Sequence, residues 1–372
     1  MQPLIREMQP AEKVDVAKFY ASNLGIIDRI VFKLSLNGAQ KSALKQSGGS
    51  LVAEQAGKIV GVVSMRVQSI KAAQAGFIDA LVVAKELRGK TIGKLLVDSA
   101  ILWLETRGCT VIYATADRYN SPSWNIFIHR GFYPYEIPHQ LRDYGLQFLR
   151  LWLVEFHFIG YGTFFLRRDK NLNAPRTTSG TWHWLAALLG VSMVWWIQIL
   201  RSQGPLALVP AVFAVVALSL MAHEFAQKLM ARKLGFAAEF KAWGSGILFS
   251  WLLALAGGFF PAYGSTYLKQ LDWKYAPQKD KTGLFFAIGP LVSLVLGFVF
   301  WAITRLTVGS LLSDAARVGY ATNLLISLFN LIPLQAAGGF VWDGKKILTW
   351  NRTVWITLAA LTAALIIIGI LP

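Results

Sequence analysis

Residues 223–227, His-Glu-Phe-Ala-Gln, carry most of a zinc-hydrolase motif near one end of a long apolar segment. In the complete pattern, two histidines four residues apart lie on one face of a helix and bind the same zinc ion. The glutamate between them then deprotonates the metal-bound water. Here His223 and Glu224 are present, but Gln227 stands where the second histidine would be. Because an amide oxygen is a much weaker zinc donor than an imidazole, the pattern predicts a metal site with one poor ligand.

A carboxylate that could complete this site follows a later apolar segment. The sequence Phe329-Asn330-Leu331-Ile332-Pro333 precedes Asp343 and Gly344. An aspartate at the membrane is costly unless it is paired or acts as a ligand. With the His-Glu motif, this pattern resembles the site-2 proteases, which are intramembrane zinc metalloproteases, over about residues 182–371.

The resemblance implies that His223 and Asp343 bind zinc, that Gln227 occupies the third ligand position, and that Glu224 is the general base. His183 begins the first apolar segment and could replace the missing imidazole, although an ordinary interfacial histidine is the better interpretation. Three readings stay open: a degenerate protease fold that anchors or regulates, a working protease with unusual metal binding, or a bundle for transport or scaffolding.

A second, unrelated pattern lies upstream. A predicted strand, residues 76–83, leads into the turn Arg88-Gly89-Lys90-Thr91-Ile92-Gly93-Lys94 and then a predicted helix, residues 92–106. Small residues before a helix N-terminus expose backbone N–H groups and the positive end of the helix dipole, which together can bind an anion. By itself, such a strand–helix turn is more often only a turn.

The wider pattern is more specific. Some thirty residues later come Asn120, Ser123 and the sequence Ile126-Phe127-Ile128-His129-Arg130-Gly131-Phe132. Both patterns together resemble the GNAT acetyltransferases over about residues 1–137. The resemblance implies a mixed sheet splayed between two strands, with acetyl-CoA in the gap and an amine as acyl acceptor. The pyrophosphate would then meet backbone amides of the turn, which comprises Arg88, Gly89, Lys90, Thr91, Ile92, Gly93 and Lys94.

Further site residues follow from the same resemblance. The acetyl carbonyl would meet backbone N–H groups of the strand through Leu81 and Val83, and Asn120 would contact the pantetheine or the start of its helix. Phe127 stands where the family often has a tyrosine that protonates the leaving thiolate, so Tyr119 and Tyr133 are candidate substitutes.

Asp79 is the candidate base on the same strand. It shares strand parity with Leu81 and Val83, so it could accept a proton or bind substrate. A hydrogen-bonded structural carboxylate is an equally good interpretation.

The second half of the chain has the composition of a membrane protein. Five apolar segments approach the roughly 20 residues that cross a bilayer. They are Trp182–Leu200, Leu206–Leu229, Leu284–Ile303, Ala315–Pro333 and Val354–Leu371. The shorter segment, residues 246–260, predicts a re-entrant element, because a crossing there would place four lysines outside, against the positive-inside tendency.

The net charge and the cysteine content limit the binding partners and the disulfides that this chain can have. The net charge of +17 is explained by basic cytoplasmic loops, and no basic helix or aromatic RNA-binding signature indicates nucleic acid. Cys109 is the only cysteine, so no intrachain disulfide can form. The first residues contain no apolar signal-peptide core, so the N-terminal domain is predicted to lie in the cytoplasm. The apolar segments that follow are predicted to cross the cell membrane.

The sequence therefore predicts an α+β GNAT-type domain over residues 1–145, with a mixed splayed sheet and flanking helices. A basic and aromatic connector along the membrane interface follows over 146–181. An all-α, multi-pass domain of the site-2 protease type is predicted over 182–372, in contact with the lipid bilayer and with a membrane-protein substrate or partner.

Overall fold

The computed structural model describes residues 3–23, 48–70, 73–118, 120–155, 157, 162–170, 179–269, 279–334 and 341–370. The chain divides into two compact units. The first contains the described residues up to His157 together with the strand over residues 163–169, and the second contains most of the chain after residue 178. Helices and strands are numbered below in chain order among the described residues.

The first unit is built on a seven-stranded mixed sheet in the order β1-β2-β3-β4-β5-β7-β6. Only the β4–β5 pair is parallel, and the other neighbours are antiparallel. The strands are β1 (Leu4–Glu7), β2 (Gly48–Gln55), β3 (Lys58–Ile70), β4 (Ala73–Val83), β5 (Val111–Asp117), β6 (Tyr133–Pro134) and β7 (Thr163–Asp169). The sheet confirms the predicted fold class.

Helices cover both faces of this sheet. They are α1 (Lys13–Asn23), α2 (Ile92–Glu105), α3 (Ser121–Ile128), α4 (Ile137–Tyr144) and α5 (Phe148–Val154). Helix α2 packs on β3 and β4, where a Cβ at Gly61 or Gly76 would lie under 3 Å from Leu96 or Leu104. Gly61 and Gly76 therefore let the helix approach the strands closely.

The predicted boundary at residue 145 is too early. Helix α5 buries Leu151 in the core beside Phe77 and Tyr113. Strand β7 pairs with β5 along its whole length, from Thr163 opposite Asp117 to Asp169 opposite Val111. Much of the predicted interfacial connector is thus an integral part of the first unit, because β7 is an inner strand of its sheet.

The second unit is helical, as predicted, with one addition. Its helices are α6 (Gly180–Arg201), α7 (Leu208–Lys233), α8 (Gly244–Leu255), α9 (Lys279–Leu306), α10 (Leu311–Leu331), α11 (Asp343–Trp350) and α12 (Arg352–Ile370). The addition is a two-stranded antiparallel sheet of β8 (Ala238–Ala242) and β9 (Gly264–Leu268), which the all-α prediction did not include.

Four helices among the described residues are long and apolar enough to cross a membrane: α6, α7, α9 and α12. The fifth predicted span forms helix α10 but is not one of these four. Asp314, Arg317 and Asn323 lower its hydropathy, and Thr322, Asn323 and Ser327 of this helix are fully buried. Helix α10 is therefore a partly polar helix packed against α7 and α9 rather than a uniformly apolar span.

The segment predicted to be re-entrant forms α8 between the two strands of the small sheet. Its twelve residues span about 18 Å, well short of the roughly 30 Å hydrocarbon core. Ala242 is paired with Gly264, and Trp243 N donates to Tyr263 O at 3.0 Å. Because the β8–β9 pairing holds the two ends of this segment together, the segment does not carry the chain from one side of a bilayer to the other.

Candidate functional site

The turn before α2 presents backbone N–H groups at a helix N-terminus. Leu95 N donates to Thr91 O at 3.0 Å as the first turn of the helix closes. The amides of Ile92, Gly93 and Lys94 precede this bond and have no intrahelical acceptor. Gly89 has a φ of 79°, a conformation that favours glycine. The turn therefore has the geometry of an anion cradle.

The side chains of the turn do not occupy this cradle, so backbone N–H groups line it. The Arg88 guanidinium folds back on β4, where Nε donates to Val83 O at 3.2 Å. Burial lowers the pKa of Arg88, with Glu86 opposing the shift. Gly93 is buried, and a Cβ there would lie 3.3 Å from Ile126 Cδ1 and 3.8 Å from Val83 Cγ2. Lys90, Thr91 and Lys94 are exposed.

Strands β4 and β5 separate beside this cradle. They pair only from Ala75 opposite Val111 to Ile78 opposite Ala114. Beyond Ile78, β4 continues through Leu81 to Val83 with β3 as its paired neighbour, while β5 continues with β7. The two strands thus form a fork in which β4 backbone groups, including those of Leu81 and Val83, have no β5 partner. This is the splay that the sequence predicts.

Asn120 begins helix α3. Its Oδ1 accepts from Ser123 N at 3.3 Å, which is an N-cap hydrogen bond. Of the two predicted roles for Asn120, contact with a ligand or with the start of its helix, the second is present.

The residues considered as general acids near the fork have different environments. Phe127 is buried, with its ring centroid 5.2 Å from that of Phe132. Tyr133 donates to Asp169 Oδ2 at 2.7 Å, and burial raises the pKa of Tyr133. Tyr119 lies outside the described residues.

Asp79 does not keep the parity that the sequence count assigned to it. The β3–β4 register shifts so that Ser64 is opposite Ala80 and Met65 is opposite Ile78, which leaves Asp79 as the extra residue of a bulge. The Asp79 carboxylate accepts from Arg66 Nε at 2.9 Å and 3.0 Å. Arg66 also lies over the Phe77 ring. Asp79 is therefore directed to the Arg66 side of the sheet, whereas Val83 approaches Gly93 on the α2 side.

The metal-motif residues of the second unit lie together, buried, on and beside α7. His223 Nδ1 is 2.9 Å from Ser293 Oγ on α9. Gln227 Nε2 donates to Asp343 Oδ2 at 3.4 Å. A Cβ at Gly289 would lie 2.5 Å from His223 Nε2 and 2.9 Å from Gln227 Nε2, so this glycine allows α9 to approach the motif.

The start of α11 brings Asp343 to α7 through another close approach. A Cβ at Gly344 would lie 2.2 Å from Leu331 O at the end of α10. Asp343 Oδ1 accepts from Lys346 Nζ at 3.2 Å. Lys346 is buried and lies 4.1 Å from the centroid of the Phe286 ring. The carboxylate thus has a cation of the chain itself beside it.

Glu224 faces the small sheet. Its Oε1 accepts from Tyr263 OH at 2.9 Å, and its Oε2 accepts from Thr266 Oγ1 at 2.6 Å. Both carboxylate oxygens are therefore engaged in holding β9 and the residue before it against α7. A general base needs an oxygen directed at the water that it deprotonates.

These residues do not fit a zinc site. Structural and catalytic zinc sites use three or four thiolate, imidazole or carboxylate ligands. Among the described residues, no group of three or more His, Cys, Asp or Glu side chains is placed to hold a metal ion. The set here is one imidazole, one amide and one carboxylate that already accepts from an ammonium and an amide.

His183 does not supply the missing imidazole. Its Nε2 lies 3.0 Å from Lys241 Nζ on β8, so this ring nitrogen accepts from an ammonium. Two functional candidates escaped the sequence reasoning altogether: Lys346, which reads as one of several basic residues after Asp343, and Glu155, which lay in the predicted connector. Lys346 meets Asp343 at the i,i+3 spacing of helix α11, a local signal that could have been used. Glu155 meets Arg66 only through tertiary packing, so no local signal marks it.

Comparison with known proteins identifies the first unit. The model of the acetyltransferase (GNAT) family matches residues 26–132. A protein of Methanocaldococcus jannaschii, whose name assigns it provisionally to the zinc metalloproteases, is 33% identical over 135 residues. The match covers 36% of this chain and 66% of that protein, slightly less than two thirds of its length. It supports the fusion of an acetyltransferase with a protease-like domain.

Solved structures that resemble the chain include several acetyltransferases. A transcriptional regulator from Bacillus halodurans is 22% identical, with 36% of this chain and 95% of that chain covered and a TM-score of 0.32. A GNAT family N-acetyltransferase from Escherichia coli, solved with CoA, is 14% identical, with 46% and 82% covered and a TM-score of 0.32. Because TM-scores this low carry no argument, the family assignment rests on the sequence match.

Proposed function

We propose that this chain, whose residues 26–132 form a GNAT acetyltransferase domain, is a membrane-embedded protein that uses acetyl-CoA to acylate an amine. The observation that carries the proposal is the fork between β4 and β5 beside the α2 N-terminus. In this proposal an extended pantetheine arm lies in the fork, next to β4 backbone that β5 no longer pairs. The amides at the start of α2 suit the pyrophosphate.

Acetyl-CoA supplies an activated thioester when it is bound. The residues that hold it in this proposal are Arg88, Gly89, Lys90, Thr91, Ile92, Gly93 and Lys94 through their backbone, with Leu81 and Val83 along the fork. Asn120 acts indirectly, because it caps the helix that packs against Gly93 through Ile126. The family tyrosine is replaced by the buried Phe127, so the leaving thiolate departs without a side-chain acid at that position.

For the second unit, we propose a degenerate protease fold that anchors the acyltransferase in the membrane or binds a membrane partner. Three contacts support this role over proteolysis. Gln227 stands at a ligand position, Lys346 balances Asp343, and Glu224 has both oxygens occupied by Tyr263 and Thr266. The retained motif residues then act as interhelical hydrogen-bond partners in the bundle. The first unit is proposed to face the cytoplasm of a cell membrane.

Calorimetry on the full-length protein in detergent tests the acetyl-CoA proposal. Thr91 has a φ of −67°, which proline adopts, and its side chain is exposed. Thr91→Pro therefore removes one amide donor with little change in backbone, and we expect about tenfold weaker binding for one lost charge-assisted hydrogen bond. Gly93→Glu adds an acidic side chain within the cradle and should abolish binding.

Gln74→Glu is the matched control for charge, since Gln74 is exposed at the beginning of β4. It should bind acetyl-CoA like the wild type. If the folded wild-type protein shows no binding heat at millimolar acetyl-CoA, the proposed cofactor is wrong.

A further inference from the structure

Helix α5 and the turn before it have two sides, and the core of the first unit uses only one of them. The side chains on the inner side are all buried: Phe148, Leu151 and Trp152. The outer side carries Leu146, Arg150 and Leu153 at near-helical spacing. Leu146 is 79% exposed and Leu153 is 64% exposed. Large apolar side chains exposed together in this way mark a surface for a further contact.

A groove of about 290 Å³ lies beside these side chains. Its apolar lining comes from the end of β3 and from α5: Ile70, Leu151, Leu153 and Val154. Arg150 and Gln147 line the same groove. Because Arg150 and Leu153 belong both to the outer side of α5 and to the groove, the two form one surface. This surface is called the α5 face below and comprises Ile70, Leu146, Gln147, Arg150 and Leu153.

The Arg150 guanidinium is the charged group of the α5 face. Within the part of the chain that the structure describes, it has no hydrogen bond, ion pair or ring contact. Arg142 and Arg167 differ, because both pair with Asp143. A guanidinium without a partner can bind a phosphate through two parallel hydrogen bonds. Beside exposed leucines, it suits an anionic group that is joined to an apolar body.

The chain itself indicates which molecule has this chemistry. Helix α6 is long and apolar enough to cross a membrane, and residues 170–179 alone connect β7 to it. Ten residues span at most roughly 35 Å, so β7 cannot lie farther than that from the start of α6. Anionic lipids of the cytoplasmic leaflet attract Lys and Arg side chains near the surface. A bilayer surface of this kind offers phosphates above apolar chains, which complements the α5 face.

We propose that the α5 face docks the first unit on the bilayer. Leu146 and Leu153 enter the layer of lipid headgroups, and Arg150 donates hydrogen bonds to the phosphate of an anionic phospholipid. This inference goes beyond the proposed function, because it needs neither bound acetyl-CoA nor catalysis. It also changes which residues of the predicted interfacial connector meet the membrane, since Phe148 and Trp152 are packed in the core.

The experiment measures contact between lipid and a single fluorophore in nanodiscs that each hold one full-length protein. In a Cys109→Ser background, Leu153→Cys carries the fluorophore, and phospholipids with a doxyl group near the top of the acyl chain quench it. An interfacial apolar face lies about 5–10 Å deep, within reach of that group. In discs of phosphatidylcholine and phosphatidylglycerol, we expect quenching at position 153.

Leu102→Cys is the matched control for the label. Leu102 is 63% exposed, against 64% for Leu153. It lies on α2, which packs against Gly76, whereas α5 packs beside the next residue of the strand, Phe77. Neighbouring residues of a strand face opposite sides of a sheet, so the two labels lie on opposite sides of the first unit. The label at position 102 should therefore stay unquenched.

The charge of Arg150 is tested with the label at position 153. Arg150→Gln should lower the ratio of docked to undocked protein about fivefold, the attraction of one arginine to an anionic surface. Lys58→Gln removes the same charge from an exposed residue at the other end of β3 from Ile70, and quenching should stay as before. In discs of phosphatidylcholine alone, quenching should be weaker, and Arg150→Gln should lower it no further.

Three outcomes would overturn the inference. Equal quenching at positions 153 and 102 would mean that lipid does not distinguish the α5 face. Quenching at position 153 that responds neither to Arg150→Gln nor to phosphatidylglycerol would exclude the anionic phospholipid as the partner. A spectral shift at position 153 that needs two copies in a disc, without quenching by lipid, would assign the α5 face to a contact between copies. Calorimetry with acetyl-CoA is independent of all three, so failure of the proposed function is recognised separately.

Discussion

The Lys346 ammonium lies 3.2 Å from Oδ1 of Asp343, the carboxylate that the sequence pattern assigns to a metal ion. Both side chains are buried, so the attraction is only weakly screened by solvent. A divalent cation at this position would have to share the carboxylate with an ammonium. The second unit therefore balances the charge of the buried Asp343 with an ammonium of its own chain.

Restoring the missing imidazole should increase metal binding. Gln227→His would place two imidazoles one helical turn apart on α7, with Asp343 as the third ligand. We expect purified Gln227→His to hold more zinc than the wild type by elemental analysis, and Gln227→His with Lys346→Met to hold more still. Asp343→Asn should remove the gain, whereas Glu224→Gln should keep the zinc but lose any proteolysis gained. One tightly held zinc per chain in the wild type would show that Gln227 does not prevent metal binding.

The N-cap of α3 should be worth a measurable amount of local stability. Asn120→Ala removes the side-chain acceptor of Ser123 N, which then keeps only its 2.9 Å bond to Asn120 O, and loss of an N-cap costs about 1 kcal/mol. Hydrogen exchange at the Ser123 amide should accelerate about fivefold, the equivalent of that free energy. Asn120→Asp keeps the acceptor and should exchange like the wild type. An unchanged rate in Asn120→Ala would mean that the cap contributes nothing to the helix.

The paired ends of the α8 segment predict where its neighbours lie. Lys233 ends α7 and Lys269 follows β9, and both are exposed. Single cysteines at Lys233, Lys269 and Lys345, in a Cys109→Ser background, should all resist an impermeant thiol reagent in intact cells. Ser202→Cys, in the turn after α6, is the positive control and should be labelled. Labelling at Lys269 but not at Lys233 would contradict the hairpin geometry.

Acid should destabilise the first unit through His157. This ring is buried against Trp152 and Phe165, and burial lowers the pKa of His157 to about 3. Below about pH 6.5 the His157 ring binds a proton in the unfolded chain, whereas in the folded chain it stays neutral until the pH approaches 3. Stability should therefore be complete above this pH and fall by about 1.4 kcal/mol per unit as pH drops towards 3.

The measurement for His157 is the thermal midpoint of the full-length protein in detergent between pH 7 and pH 4. His157→Phe keeps an aromatic ring in the same cluster without the titration, so its midpoint should decline less steeply with acid. Equal slopes for the two proteins would assign the acid sensitivity to other groups.

Local patterns in the sequence were sufficient for the elements that local physics controls. The strand over residues 76–83 was predicted, and it lies within β4. The anion turn before α2 and the four apolar helices were also foreseen, because each depends on composition over one short stretch.

Contacts between residues far apart in the chain could not be predicted from the sequence. Strand β7 contains Phe164, Phe165 and Arg167, a mixture that also suits a membrane interface, and only its pairing with β5 decides between the two. The parity of Asp79 failed because one inserted residue in the β3–β4 register reverses every side chain beyond it. Glu155 was missed because its partner Arg66 lies 89 positions away in the chain.

The position of β7 has a consequence for synthesis. This strand lies between β5 and β6 in the sheet, yet it is the last of the seven strands in chain order, and residues 170–179 alone separate it from α6, the first helix long and apolar enough to cross a membrane. On the ribosome, β6 has no strand to pair with until Leu166 and Arg167 emerge. The seven-stranded sheet is therefore complete only once the chain up to the start of α6 has been made, so the first unit finishes folding just as α6 follows it.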